Sequence, residues 1–214
     1  MGQVIFISGI DTDVGKTIAT GWYAKKLMTQ GHLVITQKMI QTGCEGIAED
    51  LLVHRQIQEI PLQPEDEQGI TSPYIFAYPC SPHLSAKLEQ RQILPETIEK
   101  STALLQQKYD YVLLEGAGGL LVPYNQQQTT LDYVQKQGYP IILVTSGKLG
   151  SINHTLLSLE VCQHRKIPVH TVIYNQYPKI DSIIEQETQQ YLRQYLATHF
   201  PTTKFDCLDE IKVK

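Results

Sequence analysis

The fold of this chain is decided by the stretch Gly9-Ile10-Asp11-Thr12-Asp13-Val14-Gly15-Lys16-Thr17. An apolar run at residues 4–8 precedes it, as expected of a buried strand, and an amphipathic segment at 16–30 follows, as expected of a helix. A strand, a loop ending in Gly-Lys-Thr and a helix together predict a phosphate-binding P-loop. The spacing departs from the usual motif by one position, because Ile10 stands where the first glycine is expected and Gly9 precedes it.

Outward from this loop, short apolar runs alternate with longer amphipathic segments. The runs show little alternation of polar and apolar residues, which is typical of strands covered by helices on both faces; they lie at 4–8, 33–38, 111–115, 141–145 and 169–174. The helical segments lie at 16–30, 48–56, 95–107, 131–137, 152–164 and 181–199. This order predicts the α/β class: a single domain over residues 1–214 with a doubly wound, mainly parallel β-sheet, flanking helices and a P-loop NTPase-like architecture. The proline-rich segment 58–85 is interpreted as an extended excursion over the strand ends.

Composition excludes several classes of protein. The chain has 214 residues, with 18 Lys and Arg against 22 Asp and Glu, and its net charge of -4 argues against a nucleic-acid partner bound by bulk charge. No apolar run approaches the roughly 20 residues of a membrane span, and the start of the sequence lacks the basic region of a signal peptide, so no membrane partner is expected. The four cysteines are widely scattered, which favours reduced thiols, no structural metal and a cytoplasmic protein.

The residues at the ends of the predicted strands are the candidates for function, because open α/β sheets bind ligands there. Lys16 is placed to reach the terminal phosphates of a nucleotide, and Thr17 is placed to ligate magnesium. The alternative is a plain turn and an exposed lysine, but the flanking strand and helix favour the phosphate site. Glu115 ends another apolar run, and we expect it to help hold magnesium; the alternative is a solvated glutamate at an ordinary turn.

Two further residues are ambiguous on local pattern. Lys38 ends the run at 33–38 and would point toward the phosphate end of the sheet, but a surface lysine at a strand end is equally compatible with this position. Asp50 opens a predicted helix, where an acidic residue also stabilises the helix dipole. The pattern leaves the roles of both residues open.

Several blocks of sequence, taken in order, resemble the dethiobiotin synthetase family. They are the loop at 9–17, Lys38 to Gly43, Ser81-Pro82-His83, Glu115-Gly116-Ala117-Gly118-Gly119 and Lys148-Leu149-Gly150-Ser151-Ile152-Asn153-His154. The resemblance implies a homodimeric, cytoplasmic enzyme of biotin synthesis that requires magnesium and uses ATP as co-substrate. In this family 7,8-diaminononanoate and carbon dioxide are closed to dethiobiotin, and ADP and phosphate are released.

The resemblance also implies the chemistry. One substrate amine captures carbon dioxide as a carbamate, ATP phosphorylates the carbamate to a carbamic-phosphoric anhydride, and the second amine closes the ring. Because negative charge builds up during these steps, such a site needs fixed cations more than it needs a nucleophile. By similarity, Lys16 binds the γ-phosphate, Lys38 binds the carbamate and the transferring phosphoryl group, and Thr12 lies where the loop closes over the phosphates.

The same resemblance assigns the binding residues. Magnesium would be shared by Thr17, Asp50 and Glu115. The nucleotide would contact the P-loop, the turn after the strand and a base-contacting asparagine: Asp13, Val14, Gly15, Lys16, Thr17, Ile18, Glu115, Gly116, Ala117, Gly118 and Asn175. The diamino acid would contact a hydroxyl residue at its nitrogen end and, at its carboxylate, a helix N-terminus from across the dimer interface and a late-helix tyrosine: Thr42, Gly150, Ser151, Ile152, Asn153 and Tyr191. Tyr195 is an alternative to Tyr191, and both are equally compatible with core aromatics.

The sequence departs from the family near its end. The family's Gly-x-Ile-Pro turn corresponds here to Asp209-Glu210-Ile211-Lys212, and the sequence ends at Lys214, so weak discrimination among nucleotide bases is expected. The main alternative function is a P-loop switch ATPase of the partitioning or nitrogenase iron-protein kind, but such proteins carry a signature lysine where this chain has Asp11. A second alternative is an inactive relative kept as a binding module.

Overall fold

The computed structural model describes residues 1–179 and 181–213 of the chain. The strands are β1 (Gln3–Gly9), β2 (Val34–Lys38), β3 (Gln41–Thr42), β4 (Ile75–Phe76), β5 (Tyr111–Gly119), β6 (Ile141–Ser146), β7 (Val169–Asn175) and β8 (Lys204–Leu208). The helices are α1 (Lys16–Thr29), α2 (Glu49–Gln58), α3 (Pro64–Glu67), α4 (Pro82–Leu88), α5 (Pro95–Gln106), α6 (Thr130–Gln137), α7 (Ser151–His164) and α8 (Ser182–His199).

Six of the strands form one sheet in the order β2-β5-β1-β6-β7-β8. All the strand pairs in this sheet are parallel across the described residues. The chain builds one side of the sheet from β2 and β5 and the other side from β6, β7 and β8, so the order reverses at the central strand β1. The predicted α/β class, with a doubly wound parallel sheet and flanking helices, is confirmed. The reversal at β1 places the P-loop where such sheets bind ligands.

Both faces of the sheet are buried under helices. Phe6 packs with Leu114 and Ile98 in a cluster on one face, while Ile5 packs with Ala19 in a cluster on the other. Successive residues of a strand point to opposite faces, so a strand covered on both sides is apolar at every position. This burial explains the unbroken apolar runs in the sequence.

The structure differs from the sequence prediction in three places. The pattern does not predict β8, because this strand has largely half-exposed residues and no continuous apolar run. The strand predicted at 111–115 continues as β5 through the glycine-rich residues to Gly119, where the sequence predicts a turn. The segment 58–85 is not extended throughout, since it contains α3, the start of α4, and β4, which pairs with β3 in a small second sheet. A helix of four residues such as α3 is too short to show a helical period.

Within the described ranges, no helix is both long and apolar enough to cross a membrane.

Candidate active site

A cavity of about 890 Å³ opens at the carboxyl ends of β1, β2 and β5. The predicted site residues in its wall are Thr12, Asp13, Gly15, Lys16, Thr17, Ile18, Lys38, Thr42, Asp50, Glu115, Ala117, Gly118 and Asn175. They lie in strand ends, loops and helix starts that are far apart along the chain. The parallel sheet brings them to one edge.

The P-loop forms one wall of the cavity. Asp13 (φ 58°) and Gly15 (φ 90°) adopt left-handed backbone conformations, and α1 begins at the next residue, Lys16. Lys16 is 8% exposed, and its Nζ donates to the carbonyl of Asp11 at 2.9 Å. Backbone N–H groups, the positive end of a helix dipole and an ammonium therefore share one wall, an arrangement that binds phosphate.

Lys38 lies between two carboxylates at the end of β2. The strand register pairs it with Glu115 of β5, and its Nζ donates to Glu115 Oε1 at 2.8 Å and to the carbonyl of Gly116 at 3.2 Å. Asp50, in the first turn of α2, forms an ion pair with the same Nζ. Burial disfavours the charged form, but Glu115 and Asp50 outweigh it and raise the pKa of Lys38 above its ordinary value. Lys38 is therefore a fixed cation.

Glu115 is fully buried and ionised. Its Oε1 also accepts a hydrogen bond from the hydroxyl of Thr17 at 3.4 Å, and its Oε2 lies 2.9 Å from Nε2 of His54. Burial alone would raise the pKa of this carboxyl, but the Lys38 ammonium and the hydrogen bond with His54 hold the pKa well below its ordinary range. Strand β5 consequently presents a negative charge beside the P-loop at Glu115.

Two ammonium groups face the same cavity. Burial lowers the pKa of Lys16 below its ordinary value; Lys38 adds to this shift, while Glu115 and Asp50 oppose it. The repulsion between Lys16 and Lys38 would be relieved by an anion in the cavity, because an opposite charge favours the protonated form of both lysines.

The oxygen atoms in the cavity wall suit a hard cation. Among them are the hydroxyl of Thr17 and the carboxylates of Asp50 and Glu115, which are the ligand types that magnesium prefers. The described residues contain no group of three or more His, Cys, Asp or Glu side chains that could hold a metal. Magnesium held here would therefore also need oxygens from a nucleotide and from water, which is its usual mode of binding.

Two predicted nucleotide-binding residues lie behind the cavity wall. Val14 is buried, and its carbonyl accepts a hydrogen bond from Nδ2 of Asn175 at 3.0 Å. A Cβ atom at Gly116 would lie 2.6 Å from Cζ of Phe6, so this glycine permits close packing on the core. Both residues shape the wall through the backbone.

The predicted carboxylate-binding helix start does not reach the cavity within one chain. Among the described residues, those that line the cavity do not include Gly150, Ser151, Ile152 or Asn153. The Ser151 hydroxyl is hydrogen bonded to the Ser146 hydroxyl at 3.1 Å, and the preceding Leu149 is 85% exposed. This helix start would serve the cavity only if a second chain placed it there.

The two candidate tyrosines of α8 have different surroundings. Tyr191 is 41% exposed and does not line the cavity. The hydroxyl of Tyr195 donates to Oε1 of Glu160 at 2.7 Å, and its ring packs against His199. Tyr195 therefore ties α8 to α7, and Tyr191 is the tyrosine with surface left for a ligand.

Several wall residues have no individual site role in the sequence prediction, although some lie in the blocks that carry the family resemblance: Ile40, Gln41, Pro79, Cys80, Ser81, Pro82, Val122, Tyr177 and Pro178. Those that directly follow β2 and β7 could have been found by the rule that strand ends face the ligand. His54, which contacts Glu115 from behind, has no such signal, since one histidine in a helix is ordinary. Pro79 and Cys80 are placed only by the tertiary fold.

Comparison with known proteins gives relatives and a fold. A family model described as an AAA domain matches residues 3–202. The ATP-dependent dethiobiotin synthetase BioD 2 of Pasteurella multocida is 68% identical over 213 residues, with 100% of both chains covered. The ATP-dependent dethiobiotin synthetase BioD of Chlorobaculum tepidum is 51% identical over 191 residues, covering 89% of this chain and 80% of the relative.

Among solved structures, pNOB8 ParA bound to nonspecific DNA has a TM-score of 0.60 at 13% identity, covering 99% of this chain and 86% of that one. A ParA family ATPase from Chlorobium tepidum has a TM-score of 0.55 at 13% identity, covering 100% of this chain and 86% of that one. At such low identity the likeness shows the fold alone.

Proposed function

This chain belongs to the dethiobiotin synthetase family, and from that premise we propose which of its residues carry the reaction. The protein is an ATP-dependent ligase that forms dethiobiotin in biotin biosynthesis, with ATP, 7,8-diaminononanoate and carbon dioxide as substrates. The observation that carries the assignment of residues is the pair of buried lysines, Lys16 and Lys38, in the wall of one cavity.

The two lysines have separate tasks in this proposal. Lys16, in the P-loop, binds the γ-phosphate of ATP. Lys38 binds the carbamate and the phosphoryl group that is transferred to it, and the second amine then closes the ring on the resulting anhydride. Fixed cations in a buried site stabilise developing negative charge more than cations in water do, because little reorganisation is needed. Glu115 and Asp50 hold the ammonium of Lys38 in place before the substrates bind.

The nucleotide would lie along the P-loop. Its phosphates contact the backbone from Asp13 to Ile18, and Thr12 lies at the point where the loop closes over them. The last part of β5, with Gly116, Ala117 and Gly118, would border the phosphates, and Asn175 would contact the base. The glycines allow these segments to pack closely on the protein, since a Cβ atom at Gly15 would meet Asn175 and one at Gly116 would meet Phe6.

Magnesium would be held by Thr17, Asp50 and Glu115 together with phosphate oxygens. When bound, it would neutralise charge on the phosphates during transfer. The donor set fits this ion, since it consists of a hydroxyl and two carboxylates at one end of the cavity. Lys38, which pairs with both carboxylates, would balance their charge as the site fills.

The diamino acid would extend from Thr42 toward a second copy of the chain. We assign its nitrogen end to the Thr42 hydroxyl and its carboxylate to Tyr191 and to the start of α7 (Gly150, Ser151, Ile152 and Asn153). A homodimer follows from this assignment, because the α7 start does not line the cavity of its own chain. The exposed leucines near this helix, Leu149 and Leu157, support an interface there.

We further assign residues 1–214 to a single P-loop domain in the cytoplasm. One six-stranded sheet takes strands from Gln3 through Leu208, which supports a single domain. The four cysteines form no disulfide, as is usual in a reducing compartment.

A turnover assay tests the proposed function. Purified protein receives ATP, magnesium, bicarbonate and diaminononanoate, and both phosphate and dethiobiotin are measured. We expect phosphate release to depend strictly on the diamino acid and to match dethiobiotin formation. Lys38→Gln should abolish product while ATP still binds, and Lys25→Gln, which changes a partly exposed lysine of α1, should behave like wild type. Phosphate release without the diamino acid would instead indicate a switch ATPase.

Complementation tests the shared site. In this proposal Lys16 comes from one chain of each composite site and Tyr191 from the other, because Tyr191 does not line the cavity of its own chain. Lys16→Gln and Tyr191→Phe chains are therefore each weakly active alone. Mixing them after gentle dissociation should restore activity, since a mixed dimer keeps one intact site. Sedimentation that shows a fully active monomer at assay concentration would contradict the dimer.

A further inference from the structure

His54 lies behind the cavity, fully buried between α2 and the sheet. Its Nε2 is 2.9 Å from Oε2 of Glu115, and its Nδ1 is 3.1 Å from Oγ1 of Thr36. His54 does not line the cavity, so it cannot contact a substrate there. It does contact the carboxylate of Glu115, in the middle of β5.

The hydrogen-bond network assigns a direction to these contacts. Arg55 Nη1 donates to Oγ1 of Thr36 at 2.6 Å, which uses that hydroxyl as an acceptor. The Thr36 hydroxyl can then donate its own hydrogen to Nδ1 of His54, which leaves the ring hydrogen on Nε2. Because the ionised Glu115 carboxylate can only accept, His54 Nε2–H is the donor to Glu115 Oε2.

The far end of this network is rigid. Arg55 is 3% exposed and donates to both carboxylate oxygens of Asp66, at 2.8 Å from Nε and 2.7 Å from Nη2. Bidentate pairs of this kind have fixed geometry. The orientation of Thr36, and through it that of the His54 ring, is thereby set by a buried pair that does not line the cavity.

The two carboxylate oxygens of Glu115 therefore have different hydrogen-bond partners. Oε2 is bonded to His54, while Oε1 faces Lys38 and Thr17 in the cavity wall. Without the Nε2–H donor, a buried carboxylate oxygen would lack its partner, and the carboxylate would be free to rotate toward other donors.

We propose that His54 is a positioning residue, whose Nε2–H fixes the Glu115 carboxylate in the orientation that presents Oε1 to the metal end of the cavity. This inference rests on the proposed role of Glu115 at magnesium. Groups that orient a metal ligand from behind change metal affinity by roughly 10- to 100-fold when they are removed.

Three substitutions separate positioning from packing. His54→Gln places an amide N–H near the position of Nε2 and can still donate to Glu115. His54→Asn reaches only the position of Nδ1, near Thr36. His54→Leu fills the space and makes neither hydrogen bond. The full chain of each variant is loaded with a non-hydrolysable ATP analogue, and Mn²⁺ binding is measured by electron paramagnetic resonance. In a separate assay with ATP and the other substrates, the magnesium concentration for half-maximal turnover is measured.

We expect His54→Gln to bind Mn²⁺ within about threefold of wild type and His54→Asn and His54→Leu to bind it about tenfold more weakly or worse. Leu51→Ala is the control for stability, since Leu51 is a buried residue of the same helix. It should lower the unfolding temperature without changing Mn²⁺ affinity. If His54→Leu does not fold, the comparison of Gln with Asn decides the outcome.

Two results would overturn the inference: equal Mn²⁺ affinity in the Gln and Asn variants, or losses of affinity that simply follow the loss of stability. Glu115→Gln distinguishes an error in the proposed metal site from an error in the positioning role of His54. If Glu115→Gln leaves Mn²⁺ binding unchanged, the proposed metal site itself is wrong. If it weakens binding while the His54 variants do not, only the positioning role is wrong.

Discussion

Asn175 occupies the space that a side chain at Gly15 would need. A Cβ atom at Gly15 would lie 2.4 Å from Nδ2 of Asn175, and the same Nδ2 donates to the carbonyl of Val14 at 3.0 Å. The two residues hydrogen bonded here are 161 positions apart along the chain. The end of β7 therefore holds the P-loop just before α1, and the conformation of the loop depends on a strand formed much later in the sequence.

Gly15→Ala should weaken ATP binding by at least tenfold, since the residue has φ 90° and a methyl group would displace Asn175. Gly31→Ala is a matched control, because Gly31 has φ 89° but nothing lies within 4 Å of its Cβ position. Both variants should lose roughly 1–2 kcal/mol of stability from the left-handed backbone. Calorimetric titration with a non-hydrolysable ATP analogue separates them, and equal affinities would contradict the contact.

Lys16→Gln should keep the fold and lose most turnover. Removal of a cation that stabilises the transferring phosphate should cost on the order of 3–5 kcal/mol in the chemical step, or about 10²–10⁴ in kcat. Thermal unfolding confirms the fold, and steady-state kinetics measure kcat. Near-normal turnover would refute the P-loop assignment.

Asp50→Asn and Glu115→Gln should each raise the magnesium concentration needed for half-maximal turnover, since each removes an anionic oxygen from the proposed metal site. Glu49→Gln is the control, because Glu49 is exposed and lies outside the cavity wall. A magnesium titration in which Glu49→Gln shifts and Asp50→Asn does not would show that the neighbouring residue of α2 is the functional one.

The buried pair of Arg55 and Asp66 should make stability depend on acid pH. Burial disfavours the charge on Asp66, but hydrogen bonds from Arg55 and Thr71 outweigh it and hold the pKa of Asp66 below its ordinary value. Because the pKa is lower in the folded state, the ionised group contributes stability above about pH 4, and the contribution is lost as pH falls through the folded-state pKa.

Asp66→Asn should accordingly be on the order of 3–5 kcal/mol less stable at pH 7 and should lose less stability on acidification than wild type. Urea unfolding at pH 7, 5, 4 and 3 — about the range set by ordinary carboxyl pKa values — measures both effects. Glu67→Gln, an exposed change on the same helix, should keep the wild-type profile. Parallel profiles for Asp66→Asn and wild type would contradict the role of the pair.

The site should discriminate only weakly among nucleotide bases. The Asn175 amide is engaged with the backbone at both ends, since its Oδ1 also accepts from the N–H of Tyr177 at 3.1 Å. Tyr177 and Pro178 line the adjacent wall, and an aromatic ring can stack on any base. CTP, GTP and UTP should support kcat/KM within about tenfold of ATP, or ~1.4 kcal/mol. A preference for ATP above a thousandfold in competition kinetics would contradict this expectation.

The sequence by itself determined the α/β class and the P-loop. Both depend on local information: apolar runs long enough for buried strands, amphipathic segments long enough for helices, and the Gly-Lys-Thr triplet at the junction of β1 and α1. Five of the six strands of the parallel sheet follow from that alternation. The edge strand β8 could not be predicted in this way, because Lys204–Leu208 is stabilised mainly by pairing with β7 and has no apolar run of its own.

Only the tertiary structure decided which charges meet. Lys38 and Asp50 have ambiguous local patterns, yet the register of β2 with β5 pairs Lys38 with Glu115, 77 residues away, and the packing of α2 adds Asp50 and His54 to the same cluster. The protonation and orientation of these groups depend on burial and on neighbouring charges. Those quantities exist only once the strands have been ordered, because residues far apart in the chain create them by contact.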